Sequence, residues 1–348
     1  MRGSVALRHL ERWSRWLGLG LSVAGGLVVS AQPAFSPDLR GPTLELAEEN
    51  DWFAGTDRHY TQGFRAVYLG AERSPSHGIK GFAAYGLRAD TWRWGFEIGQ
   101  SIFTPGDLTV KYLLPDDRPY AGWLYAGPVL QRRGVLPGSG LPVLENIQLQ
   151  VGVVGPGALA KEEQNTAHFA GGFAQAAGWH NQLGNEPGCA LKYQRTWRWS
   201  PSQSRDWNIE LLPHTGASLG NVDTSARMGA TFRAGWRLPD DFGIQTIDSL
   251  GVTDGGRTSG ASAQRPGFYI FGRVEERAVA RNEFLDGSLF RQNSPYVDRR
   301  PLVCELQGGA VWVMARLDLV FMMVYRTKEF EGQSCEDAFG ALAAHIKF

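Results

Sequence analysis

The sequence predicts an all-β fold, a transmembrane antiparallel β-barrel of twelve strands with a short helical loop at one rim. Composition is the first reason: 44 Gly, 12 Trp, 10 Tyr and 18 Phe beside only 20% charged residues suit a glycine-tolerant, aromatic-rich sheet. The second is period-two alternation. Trp92, Trp94, Phe96 and Ile98 alternate with Arg93, Glu97 and glycines, and Ile147, Leu149, Val151 and Val153 alternate with Gln148, Gln150 and Gly152. Met228, Ala230, Phe232, Ala234 and Trp236 repeat the pattern against Arg227, Thr231 and Arg233. The third is the end of the chain, where Leu342, Ala344, Ile346 and Phe348 alternate with Ala343, His345 and Lys347.

Alternation alone leaves a soluble sandwich and a membrane barrel comparable, because each has one apolar and one polar face. The C-terminal strand tips the balance, since an amphipathic strand ending on an aromatic residue resembles the assembly signal of bacterial outer-membrane barrels. Residues 1–31 agree: Arg2, Arg8, Arg12 and Arg15 precede an apolar run from Leu17 to Val29 and the small-residue pattern Val29-Ser30-Ala31, which reads as a secretory signal peptide. No later segment offers eighteen uninterrupted apolar residues. The nearest, Gly309 to Tyr325, is broken by Arg316 and Asp318. An exported chain without helical spans crosses a membrane by satisfying every backbone group in a closed sheet.

The expected domain is therefore a single barrel over 32–348 with its site at the rim. Candidate strands lie near 43–50, 60–70, 91–103, 119–131, 144–154, 190–200, 206–216, 225–237, 267–277, 279–286, 302–325 and 338–348. The stretch from Asp240 to Arg265 reads as loop or turn, and Lys161 to Glu186, with a helix-compatible run from Glu162 to Phe169, as a structured rim loop. The leader holds four Arg and one Glu, so the remainder carries 31 basic and 34 acidic residues, a net charge of −3 that implies no nucleic-acid partner. Cys189, Cys304 and Cys335 have neither metal-finger spacing nor a disulfide framework.

Polar residues set beside membrane strands need a reason. Asn50 and Asp51 end the first candidate strand where its amphipathic pattern gives way, and their oxygens suit a hard cation such as calcium, although an isolated Asn-Asp pair is more often an Asx turn closing the strand. Thr61 lies across a short loop from that pair. His168 follows Asn165 by three and Gln164 by four, so one helical turn brings both amides near the imidazole. A histidine is matched to activating water at neutral pH, although a lone loop histidine is more often a surface residue. The chemistry left open is histidine-activated water attacking an ester, with a cation stabilising the oxyanion.

Five ordered blocks sharpen this reading: Glu49-Asn50-Asp51-Trp52-Phe53, Thr56 to Gly63, Asp117-Arg118-Pro119-Tyr120-Ala121-Gly122-Trp123, Gln164 to His168, and Gly178 to Pro187. Together they resemble the LpxR family, lipid A deacylases of Gram-negative outer membranes. The resemblance implies a twelve-stranded barrel that removes the 3′-linked acyloxyacyl chain from lipid A in a calcium-dependent reaction. It implies His168 as general base, Asn50 and Asp51 as metal-side residues, and Thr61 as the family's essential threonine. Family members carry a glutamate shortly after the histidine. Here Phe169 to Ala177 is uncharged, so that role falls to Glu186, to Glu163 or to nothing. Lys111 and Arg118 are the candidates for meeting the substrate's phosphates or sugar.

The expected partners are lipid A or lipopolysaccharide and the barrel assembly machinery. Two other readings stay open at this point: a non-catalytic barrel, either small porin or scaffold, and a phospholipase acting on glycerophospholipid.

Overall fold

The computed structural model describes residues 39–74, 87–201, 204, 206–255 and 265–348. The signal peptide expected over residues 1–31 lies outside them. Twelve strands appear among the described residues: β1 (Thr43–Asn50), β2 (His59–Leu69), β3 (Arg88–Thr104), β4 (Ala121–Val135), β5 (Pro142–Val154), β6 (Glu186–Trp197), β7 (Trp207–Gly220), β8 (Asp223–Trp236), β9 (Gly267–Asn282), β10 (Leu302–Val313), β11 (Leu317–Arg326) and β12 (Asp337–Lys347). Each pairs antiparallel with its sequence neighbours, and β1 closes on β12 from Thr43↔Lys347 to Asn50↔Gly340, so the barrel has no free edge.

The polarity of the two faces decides between sandwich and membrane barrel. On β3, Trp94, Phe96 and Ile98 are 58%, 52% and 47% exposed, whereas Arg93 and Glu97 are 1% and 0%. Apolar residues face outward and charge faces inward, the arrangement a lipid-facing wall requires. Inside, the charges pair across strands: Arg65 with Glu45 at 2.7 Å and Arg326 with Glu305 at 2.8 Å.

The strand count agrees with expectation through two compensating errors. The candidates at 267–277 and 279–286 are one strand, β9, whose alternation runs to Ala280 and which ends at Asn282 before a short helix, α2 (Glu283–Asp286). The candidate at 302–325 is two strands, because Arg316 and Asp318 mark the hairpin between β10 and β11, where Met314 N donates to Leu317 O.

The segment after β8, expected as plain loop or turn, is a plug. Residues 239–255 are almost wholly buried and fold back into the lumen. Its polar backbone is satisfied by the inward side chains of the wall: Gln131 donates to Val252 O, Gln148 to Leu250 O and Arg65 to Ile247 O. A charged lumen makes a loop-like sequence as burial-competent as a strand, which hydrophobic periodicity does not register. A cavity beside Lys192 and Asp248 measures about 50 Å³, room for a few waters.

The long connections at the rim opposite Thr43 and Lys347 carry the site. One of them, between β5 and β6, forms α1 (Ala160–Gly171). It lies close against the barrel because Gly122 has no side chain: a Cβ there would sit 2.6 Å from Ala160 Cβ and 3.0 Å from Ala158 Cβ. Gly122→Ala is expected to push α1 outward, reducing activity about tenfold by misplacing its residues while β4 still pairs. Heat-modifiable mobility together with the rate checks this, and an unchanged rate would show that the helix tolerates the shift.

Candidate active site

The first wall of the site is built by β1 and the turn that follows. Asn50 ends β1 and its Oδ1 accepts from Trp52 N at 2.8 Å, capping a 3₁₀ turn over Asp51–Ala54. The Asx-turn reading of Asn50 is therefore correct, and it leaves the second lone-pair direction of Oδ1 for another partner. Gly55, at φ +73°, reverses the chain, and the Asp51 carboxylate takes the amide hydrogen of Arg58. Asp51 is buried. Burial, and then the like charges of Asp57 and Asp337, push its carboxyl up to about 9 against the pull of the Arg58 amide.

Thr61 follows on β2, its Oγ1 2.7 Å from that of Thr104, a fully buried residue of β3. The opposite wall is α1. Its last turn carries His168, and Gly172, at φ +73°, turns the chain back so that Ala174 O reaches His168 Nδ1 at 2.6 Å. A carbonyl only accepts, so Nδ1 carries the proton and Nε2 presents its lone pair. Nε2 lies 3.4 Å from Asp57 Oδ2.

These groups enclose a pocket of about 290 Å³ lined by Glu48, Asn50, Asp51, Trp52, Phe53, Thr56, Asp57, Thr61, Gln62, Gln164, Ala167, His168 and Phe173. Ala167 also lines a neighbouring groove of about 660 Å³, where the outer-wall residues Phe64, Ile98 and Leu124 meet the underside of α1. Gln62 ties helix to barrel, donating to Glu48 at 2.9 Å and to Glu163 at 3.1 Å.

Asn50, Asp51, Thr61 and His168, far apart in sequence, thus share one pocket. The other expected site residues do not join them. Glu186 begins β6 and accepts the amides of Leu289 and Phe290, fixing the loop after α2. Arg118 is buried under Phe103 and pairs with Glu329 at 3.2 Å, so a lipid phosphate does not reach it. Lys111 is exposed on the β3–β4 loop, where its carbonyl takes Asn181 Nδ2, and it does not line the pocket. The amide expected to orient the imidazole also does something else: Gln164 Oε1 accepts from Trp179 Nε1 at 2.7 Å.

Asp57 is the pocket residue that sequence reasoning left without a role. Its block was visible, but its approach to His168 is a long-range contact that no local periodicity expresses. Burial raises its carboxyl, and His168 pulls the other way. His59, two residues on, is scaffold: at φ +62° it holds Asp337 at 2.7 Å and Asp117 at 3.3 Å, binding three rim segments together.

The donors at Asn50 and Asp51 suit a hard cation, and a carboxyl buried among other acids gains most from one. Among the described residues no three His, Cys, Asp or Glu side chains converge to hold a metal by themselves. A cation here would draw on amide, hydroxyl and backbone oxygens as well, which is within calcium's habits.

The family model described as "Outer membrane protein LpxR" matches residues 19–348. The chain belongs to the LpxR family. Its barrel is that of an outer-membrane protein, similar to LpxR from Salmonella typhimurium at a TM-score of 0.68 and 20% identity, over 88% of this chain and 100% of that one. The autotransporter AIDA-I transport unit from Escherichia coli matches at a TM-score of 0.38 and 11% identity over 95% and 97% of the two chains. The beta domain of the Bordetella autotransporter BrkA matches at 0.37 and 12% over 88% and 99%. A search of curated protein sequences returned no significant match.

Proposed function

We propose that this LpxR-family barrel is a carboxylic ester hydrolase that removes the 3′-linked acyloxyacyl chain from lipid A in the outer leaflet. The observation that carries the reading is His168: its Nδ1 proton is committed to Ala174 O, and its Nε2 faces a pocket that shares Ala167 with an apolar groove on the lipid-facing wall. A water-soluble substrate has no use for such a groove, whereas an acyl ester held in a membrane does.

In this reading Nε2 takes a proton from water as the oxygen attacks the ester carbonyl carbon, and returns it to the departing sugar oxygen when the carbon–oxygen bond breaks. The products are the free acyloxyacyl acid and a 3′ hydroxyl. Asn50 and Asp51 would hold calcium, which when bound supplies positive charge for the developing oxyanion. Thr61, fixed by Thr104, offers a hydroxyl to the same pocket. Trp52, Phe53 and Phe173 shield the ester from bulk water. Delivery to the membrane by the barrel assembly machinery belongs to the same proposal, as does removal of residues 1–31.

Mass spectrometry of lipid A from Gram-negative cells expressing the protein, beside an Asn50→Ala control and with or without calcium, tests this. Loss of the 3′ acyloxyacyl group in the wild type alone is expected. Unchanged lipid A with a folded barrel, or hydrolysis of glycerophospholipid in its place, would overturn the substrate assignment.

A further inference from the structure

We propose that Asp57 is the acidic partner of His168, stabilising the imidazolium formed as Nε2 accepts its proton. The inference rests on the deacylase reading and adds to it a residue outside the helix that carries the base.

Three observations lead to it. The first is that the imidazole has one nitrogen left to work with, because Nδ1 is held by Ala174 O at 2.6 Å. The second is where an acid is available. The chain after the histidine, Phe169 to Ala177, has no charge, and Glu186 is engaged with Leu289 and Phe290, whereas Asp57 Oδ2 is 3.4 Å from Nε2. The third is how Asp57 is held. Gly55 turns the backbone, Thr56 N donates to Asp51 O at 3.3 Å, and Arg58 N donates to the Asp51 carboxylate, so the residues on both sides are tethered. Among the described residues, the Asp57 carboxylate takes no hydrogen bond, and the group it faces at 3.4 Å is this imidazole.

The spacing fits a role that switches on during the reaction. With neutral histidine, Nε2 and Oδ2 are both acceptors, and 3.4 Å is wider than the roughly 2.8 Å of a charge-assisted bond. Once Nε2 holds the proton taken from water, the same two atoms become donor and acceptor of opposite charge. An interaction that is neutral or repulsive in the ground state and attractive near the transition state lowers the barrier rather than merely tightening binding. No atom changes hands at Asp57. The proton goes from water to Nε2 and on to the leaving oxygen.

The test uses purified full-length barrel in micelles with lipopolysaccharide, reading acyloxyacyl acid release across pH. Asp57→Asn is expected to lower kcat about 50-fold with KM within about twofold, and to move the acid limb of kcat to lower pH, because the imidazolium loses its counter-charge. Glu48 and Asp51, the other acids lining the pocket, stay in place in that variant. Asp57→Glu should recover part of the rate, and Asp57→Asn added to His168→Ala should cost nothing further. Equal losses from Asp57→Asn in the wild-type and His168→Ala backgrounds would overturn the pairing, as would a wild-type rate and pH profile in Asp57→Asn. If His168→Ala were itself as active as wild type, the base assignment would fail, and this proposal with it. Heat-modifiable mobility confirms that each variant is folded.

Discussion

His168→Ala is expected to lower the rate of lipid A deacylation by about 10³-fold while leaving the assembled barrel intact. The size follows from how completely the imidazole is committed. Its Nδ1 hydrogen goes to Ala174 O and Nε2 faces the pocket, and Gln164, the amide of the same helix that lines the pocket, is held by Trp179 and cannot replace it. The folding consequence is small by comparison. His168 sits on the last turn of a rim helix whose attachment relies on Gln62, Gln100 and the close approach at Gly122, none of which the substitution touches. Removing the ring enlarges a pocket that already measures about 290 Å³, so free imidazole has room to enter, and rescue of His168→Ala by added imidazole is the diagnostic measurement. Rescue that grows with the unprotonated fraction of imidazole supports a general base. A variant with near-wild-type activity, or one that loses its heat-modifiable fold, would not fit.

How much of this was legible in the sequence depends on what kind of contact carries it. The wall was legible because a lipid-facing strand writes its two faces at alternate positions, as Trp94, Phe96 and Ile98 do against Arg93 and Glu97. Strand ends were less so: the turn between Val313 and Leu317 is too short to leave a turn-rich gap between β10 and β11, and β9 passes directly into α2 at Asn282. The plug was not legible at all, since its burial depends on polar partners such as Gln131 and Gln148 from distant strands. The site falls between these cases. Asn50, Asp51, Thr61 and His168 were found because they sit in recognisable blocks, but block membership does not distinguish a pocket residue from the frame around it. Arg118, Tyr120, Trp179 and Glu186 lie in equally recognisable blocks and are frame. Trp179 packs on Tyr120 with ring centroids 4.8 Å apart and pins Gln164, while Glu186 anchors a neighbouring loop. Asp57 shows the converse, a pocket residue that its block did not mark as one.

Asp51→Asn is the second large effect, and it separates the metal question from the base. The Asp51 carboxyl is 2% exposed; burial, then Asp57 and Asp337, raise it from the ordinary 3.8 to about 9 despite the Arg58 amide. A carboxyl raised on folding contributes stability that is fully present below about pH 4 and is lost as pH climbs toward 9, because the charged form is the one the folded rim disfavours. Without calcium, the apparent melting midpoint of the wild type should therefore fall between pH 5 and pH 9, and that of Asp51→Asn should fall less. A cation on Asp51 must displace the proton held there, so wild-type calcium affinity should rise with pH, by up to tenfold per unit, until the carboxyl ionises unaided. Asn keeps an oxygen donor and removes the charge. The variant should then be the more stable protein in chelator at pH 8, should gain nothing from added calcium, and should deacylate about 10²-fold more slowly. Gel-shift melting curves at pH 5, 7 and 9, with calcium or with chelator, measure all but the last directly. Equal calcium stabilisation of wild type and variant would move the cation away from Asp51, and would leave its buried carboxyl as a strained acid serving the pocket in its protonated form.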